Sequence, residues 1–222
     1  MSKIKRSFFS VIVAFAIGPV LAIDQTQAAD TAMIEQGARI YAQSCAVCHQ
    51  ADAIGKPGFA PSLSNPEFLS VASDRFILAT MLGGRPGTGM PAFAYLGEQK
   101  GMEVLAYLRS FATLPDRSVA IDAEPPSKGD VVRGKESFDL ICSTCHGRKG
   151  DGYLAGGTGT AIGRAGTITP ASDGFLRATI KEGRSNTRML GFSGPEGMAN
   201  LSDQEIDDII VYLHLLADNE GS

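Results

Sequence analysis

The sequence predicts an all-α protein built as two small helical domains in tandem, and three observations carry that prediction. The pattern Cys-x-x-Cys-His occurs twice, in "CAVCHQ" from Cys45 and "CSTCHG" from Cys142, and takes up all four cysteines of the 222-residue chain. A segment downstream of each motif repeats without gaps. "ASDRFILATMLGGRPGTGM" (Ala72–Met90) and "ASDGFLRATIKEGRSNTRM" (Ala171–Met189) agree at ten of nineteen positions, at a constant offset of 99. Helical periodicity recurs at matching places in both halves, and no strand-like alternation surrounds either motif.

The elements follow in chain order. "MSKIKR" is a basic start, "SFFSVIVAFAIGPVLAI" is an apolar run, and "DQTQAAD" offers small residues for cleavage after Ala29, with Ala22 as second choice. That layout predicts a signal peptide over residues 1–29 and export to the periplasm. An uncleaved anchor is the alternative, because the run is not far short of the ~17-residue lower limit of a membrane span. Removing residues 1–29 takes three basic and one acidic residue from totals of 20 and 24, leaving a formal charge of −6. Nucleic acid does not suit that balance.

The first domain is expected over residues 31–113. Its opening helix contains "GARIYAQSC", with Gly37 and Tyr41 ahead of the motif, and its closing helix carries an apolar stripe of Val104, Tyr107, Leu108 and Phe111. Residues 114–130, with Pro115, Pro125 and Pro126, read as a linker. The second domain, residues 131–218, repeats the plan: Gly134 and Phe138 precede the motif, and Ile209, Tyr212, Leu213 and Leu216 form the closing stripe. Ser202 and Glu205 have the spacing of a capping box that opens this last helix. Domains this small bury limited surface of their own.

Three chemistries compete for Cys-x-x-Cys-His. Zinc fits poorly, since the two runs lie far apart and only one histidine remains outside them. A thioredoxin-like pair needs no adjacent histidine and does need a βαβ setting. Covalent attachment of haem uses every residue of the motif: each cysteine adds to a vinyl group, and the histidine is held beneath the iron. Cys45, Cys48, Cys142 and Cys145 are therefore expected to carry two haem c groups, with His49 and His146 as proximal ligands.

Each half resembles a small class I cytochrome c domain. The whole resembles a diheme c-type cytochrome of cytochrome c4-like architecture, over nearly all of the chain beyond residue 30. The resemblance implies that the first and last helices of each domain cross through Gly37 or Gly134, with Tyr107 or Tyr212 as the facing aromatic. It also implies a distal methionine in a loop. Met90 lies in "GRPGTGMPAF", a Gly- and Pro-rich loop followed by Pro91, as the family has it, whereas Met81 and Met102 read as packing. The repeat carries Met90 onto Met189, where Leu190 stands in place of the proline, and Met198 is a competitor near a six-residue insertion. The resemblance further implies that the Pro61 carbonyl accepts the His49 Nδ1–H; for His146 no matching proline exists. Arg85 and Arg184 are repeated, and each reads either as a propionate partner or as a surface residue.

Two closed His/Met haems imply electron transfer rather than enzyme activity. The expected role is a periplasmic carrier between a dehydrogenase or quinol-oxidising complex and a terminal acceptor, either a cytochrome or an oxidase. Membrane association would come only through partners or an uncleaved N-terminus. The alternatives are a diheme subunit fixed in a larger oxidoreductase, or a haem enzyme or sensor with one open site in the second domain. His214, the spare histidine, takes the position matching Arg109 and reads as a solvated surface residue.

Overall fold

The computed structural model describes residues 25–219; the expected export segment lies largely outside the described residues. Within them the chain is helical, and the strand-like pairings are two isolated bridges, Lys56 with Ala60 and Gly183 with Leu190. Helix α1 (Gln25–Ser44) leads directly into the one-turn α2 (Ala46–His49) that carries the first motif. Then come α3 (Pro66–Val71), α4 (Asp74–Gly83) and α5 (Gly97–Arg109). The sequence places the starts of α3 and α4 through their caps. Asn65 accepts from the Phe68 N–H, with Pro66 at the first helical position, and Ser73 accepts from the Phe76 N–H.

Domain one closes where α1 crosses α5. A Cβ on Gly37 would lie 1.8 Å from the Glu103 carbonyl oxygen, so only glycine lets the two backbones meet. Tyr41 and Tyr107 pack beside the crossing with ring centroids 5.2 Å apart. Ile40, Val104, Leu105 and Leu108 fill the interior around them.

The linker is a packed segment. It contains α6 (Ser118–Asp122), whose Ile121 is buried, and a Cβ on Gly174 would lie 1.9 Å from the Ile121 carbonyl oxygen. Arg117 donates to Glu182 while its backbone N–H donates to the Ser70 carbonyl, so the segment is bonded to both domains.

Domain two repeats the plan with α7 (Val131–Ser137), α8 (Ser143–His146), α9 (Ala165–Ile168), α10 (Asp173–Glu182) and α11 (Asp203–Asp218). A π-turn, Phe138–Cys142, joins α7 to α8, a local widening the sequence did not announce. A Cβ on Gly134 would lie 1.9 Å from the Asp208 carbonyl oxygen, and Phe138 and Tyr212 have centroids 5.3 Å apart, as at the first crossing. The capping box forms: Ser202 and Glu205 satisfy each other's backbone N–H groups.

The domains meet face to face through α3, α4, α9 and α10, and the contact is pseudo-symmetric. Phe76 and Phe175, equivalent under the offset of 99, meet with ring centroids 4.5 Å apart and planes tilted by 34°. Glu67 accepts from the Ser185 N–H and hydroxyl. Their counterparts Gly166 and Pro86 also touch, since a Cβ on Gly166 would lie 2.8 Å from the Pro86 ring. When i meets j and the equivalent of i meets the equivalent of j, the interface has the logic of a two-fold dimer folded into one chain.

Candidate functional site

In domain one the helix turn from Cys45 to His49 places both cysteines and the histidine on a single turn held against α1, where the Cys45 N–H donates to the Tyr41 carbonyl. The chain leaves the motif through Gln50 at φ 65°; in domain two Gly147 does so at φ 77° without a side-chain penalty. His49 Nδ1 lies 2.9 Å from the Pro61 carbonyl oxygen, the expected partner. A carbonyl only accepts, so the proton sits on Nδ1 and Nε2 keeps its lone pair for a metal.

His146 finds the partner that the sequence left unnamed. Its Nδ1 lies 2.7 Å from the Thr160 carbonyl oxygen. The loop reaches that place because residue 159 is glycine: a Cβ there would lie 2.5 Å from the His146 ring, and the Gly159 N–H donates to Cys145. Any residue type can offer a carbonyl, which is why side-chain reading missed Thr160. The glycine pair in "GTGT" was the available signal. Burial pushes both imidazoles below the ordinary histidine range; the carbonyl bonds oppose this, and the Arg85 and Arg184 charges reinforce it. The four cysteines are unpaired with one another. Burial pushes the Cys45 thiol up to about 11 and the Cys142 thiol up to about 12, unlike a reactive thiolate pair. Among the described residues no three His, Cys, Asp or Glu side chains are grouped to hold a bare metal ion.

The two methionine loops share one frame. In the first, Arg85 N–H donates to the Met90 carbonyl, Thr88 hydroxyl to the Arg85 carbonyl, and Met90 N–H to the Thr88 hydroxyl oxygen. In the second, Arg184, Thr187 and Met189 make the same three bonds. The Phe93 N–H donates to Met81 and the Phe192 N–H to Ile180, which extends the correspondence past both methionines. Gly84 and Gly183, at φ 66° and 68°, turn each chain so that it folds back on itself. Met189 packs against the core, whereas Met198 is 64% exposed, in the inserted loop that closes where the Leu201 N–H meets the Phe192 carbonyl. Met81 is buried in the core, and Met102 lies within α5.

His214 is tied down rather than free. Its Nε2 lies 2.7 Å from Asp173 Oδ1, joining α11 to the start of α10. Its counterpart Arg109 does the same for α5 and α4 through Asp74. Arg85 and Arg184 differ from the other arginines named above: the Nε of each is buried with no hydrogen-bond partner. A half-buried guanidinium with an unbonded Nε, a histidine with a free Nε2 and two unpaired cysteines in each domain fit a bound haem, which brings carboxylates of its own.

This fold and these motifs define a c-type cytochrome. Residues 32–108 match the family model for cytochrome C oxidase, cbb3-type, subunit III, and residues 131–217 match the model for cytochrome c. The chain belongs to the diheme c-type cytochromes: two cytochrome c domains in tandem, each implying one covalently bound haem c at its Cys-x-x-Cys-His motif. It is 31% identical over 159 residues to a cbb3-type cytochrome c oxidase subunit CcoP of Rubrivivax gelatinosus, covering 71% of this chain and 47% of that one. It is 25% identical over 224 residues to a cytochrome bc1 complex cytochrome c subunit of Corynebacterium diphtheriae, covering 91% and 73%. The chain spans about half to three fifths of the length of the oxidase subunits it resembles. The fold is shared with a chain of the Kuenenia stuttgartiensis reducing HAO-like protein complex, with a TM-score of 0.51 at 22% identity, over 82% of this chain and 96% of that one.

Proposed function

We propose that this diheme electron-transfer cytochrome works in the periplasm. It would take electrons from a dehydrogenase or quinol-oxidising complex and pass them to a terminal acceptor, with Met90 and Met189 as the sixth ligands. The observation that carries this reading is the shared hydrogen-bond frame of the two methionine loops. Haem c would supply the one-electron chemistry, and ligation by a methionine together with a histidine would raise its potential. The protein holds that group through Cys45 and Cys48 or Cys142 and Cys145. His49 and His146 are oriented by the carbonyls of Pro61 and Thr160, and the apolar core keeps water away. The differing surroundings of the two sites (Pro91 against Leu190, Pro61 against Thr160) predict two unequal potentials, which would give the relay a direction.

The names of the relatives favour a second reading, in which the chain is a fixed subunit of a respiratory complex. No helix among the described residues is long and apolar enough to cross a membrane. Carbon monoxide added to the dithionite-reduced protein tests the ligation: an unchanged Soret band is expected, and a change worth half the haem would point to one open site. Purification from the native membrane and soluble fractions separates the two roles. A free protein supports the carrier, and recovery in fixed ratio with other subunits supports the second reading.

A further inference from the structure

Among the described residues, five buried side-chain polar atoms have no hydrogen-bond partner. Four of them fall into two pairs that are equivalent under the offset of 99: the Nε atoms of Arg85 and Arg184, and the hydroxyls of Thr80 and Thr179. Thr80 is 8% exposed and lies in α4; Thr179 holds the same place in α10. A threonine inside a helix ordinarily bonds its hydroxyl to a carbonyl of the preceding turn. Neither of these does. An orphaned buried hydroxyl is unfavourable, and a valine would fill the same space without that cost. The same cost at both repeats points to an acceptor that both sites share.

The backbone shows what lies beside each hydroxyl. In domain one the segment that follows Met90 is pinned to the end of α4 at two points. The Arg85 N–H donates to the Met90 carbonyl, and the Phe93 N–H donates to the carbonyl of Met81, the neighbour of Thr80. Gly84, one turn on from Thr80, touches the same segment: a Cβ there would lie 2.5 Å from the Ala92 nitrogen. In domain two the Arg184 N–H donates to Met189, and the Phe192 N–H donates to Ile180, the neighbour of Thr179. A Cβ on Gly183 would lie 2.6 Å from the Met189 carbonyl oxygen. Each threonine therefore stands in the helical turn against which its methionine loop is folded.

We propose that Thr80 and Thr179 donate their hydroxyl hydrogens to the sulfurs of Met90 and Met189, as positioning residues for the two sixth ligands. This rests on the methionine ligation proposed above. A thioether sulfur has two lone pairs; the iron takes one, and the other is a weak acceptor for the hydroxyl. The bond fixes how the methionine side chain is turned, and it draws electron density from the sulfur. The sulfur then gives less to the iron, which disfavours the ferric state and raises the potential.

The test is an anaerobic spectroelectrochemical titration of the holoprotein and of its Thr80→Val, Thr179→Val, Thr80→Ser and Thr179→Ser variants. The far-red sulfur-to-ferric-iron charge-transfer band and the Tm are recorded for each. Thr80→Val is expected to shift the band and to lower one of the two one-electron steps. The change should be about fivefold in the reduction equilibrium, the size of one net hydrogen bond, or ~40 mV at ~59 mV per tenfold. Thr179→Val should do the same to the other step. The serine variants keep the hydroxyl and should keep the wild-type potentials. Valine variants that leave both potentials and the band unmoved would overturn the proposal, and a raised Tm would then mark the hydroxyls as unbonded in the holoprotein too. A potential that moves while the band stays fixed would put the hydroxyl against the haem edge and overturn the sulfur assignment. A wild-type protein without the band would overturn the methionine ligation itself, and the proposal with it. Should a valine variant fail to retain haem, the alanine variant of the same position carries the same expectation.

Discussion

Met189 and Met198 lie nine residues apart in loops of similar composition, and only their surroundings separate them. Met189 sits in a hydrogen-bonded frame that duplicates that of Met90, while Met198 points into solvent from an inserted loop. Replacing Met189 with Ala is expected to open one haem to carbon monoxide, changing half of the Soret intensity and lowering one potential. Replacing Met198 with Ala should do neither; if it produces the half-change instead, the ligand assignment is wrong. The same scale governs Gly159. A methyl group there would meet the His146 imidazole at 2.5 Å. Gly159→Ala should displace that ring and perturb the second haem's spectrum, leaving the first untouched.

At the scale of elements, each domain depends on one glycine at a helix crossing. Gly37→Ala and Gly134→Ala place a methyl group within 2 Å of a backbone oxygen, which no rotamer can relieve. Each should destabilise its domain by about 1–3 kcal/mol or more, visible as a lowered Tm of the holoprotein. The crossing of α7 and α11 also carries a pH signature through Asp208, a buried carboxylate. Burial alone would raise its pKa. The bonds from the Arg133 side chain, the Asp130 N–H and Gln204 outweigh that and hold it below the ordinary carboxylate range. A carboxyl group with a depressed folded-state pKa contributes its full stabilisation above the unfolded value of ~4, and loses it as pH falls through the folded value. Thermal melts below about pH 4 should therefore drop for the wild type. Asp208→Asn should melt lower at neutral pH and vary less with pH in that window.

At the scale of the whole molecule, the two domains are locked by an interface that repeats the internal duplication. Phe76 and Phe175 meet as a tilted pair across the interface, Phe68 packs edge-on to both, and Arg117 of the linker is bonded to either side. Truncating Phe175 to Ala removes the shared ring. It is expected to cost about 3–5 kcal/mol, as for other buried aromatic truncations, and to divide one cooperative unfolding transition into two in calorimetry. A single transition with unchanged Tm would mean that the interface contributes little.

Much of this protein could be read from the chain alone, because its signals are local. Cys-x-x-Cys-His is chemistry within one helical turn, the offset of 99 is a property of the string, and Ser202 announces the last helix through its own side chain. Pro61 was legible only through the family resemblance, which implies a proline carbonyl as the partner of His49. Other features depend on atoms that come together only after folding. Thr160 serves His146 with a backbone oxygen that every residue type possesses. His214 read as a solvated surface residue, and its side chain is 42% exposed; its bond to Asp173, 41 positions away, was not legible. Arg85 and Arg184 read either as propionate partners or as surface residues, and only tertiary packing buried the Nε of each without a hydrogen-bond partner. The residues and their spacing determined which cofactor is held and by which helical turns. The packing of one half against the other decided how the two sites face each other, because burial and charge pairing are properties of a neighbourhood and not of a residue.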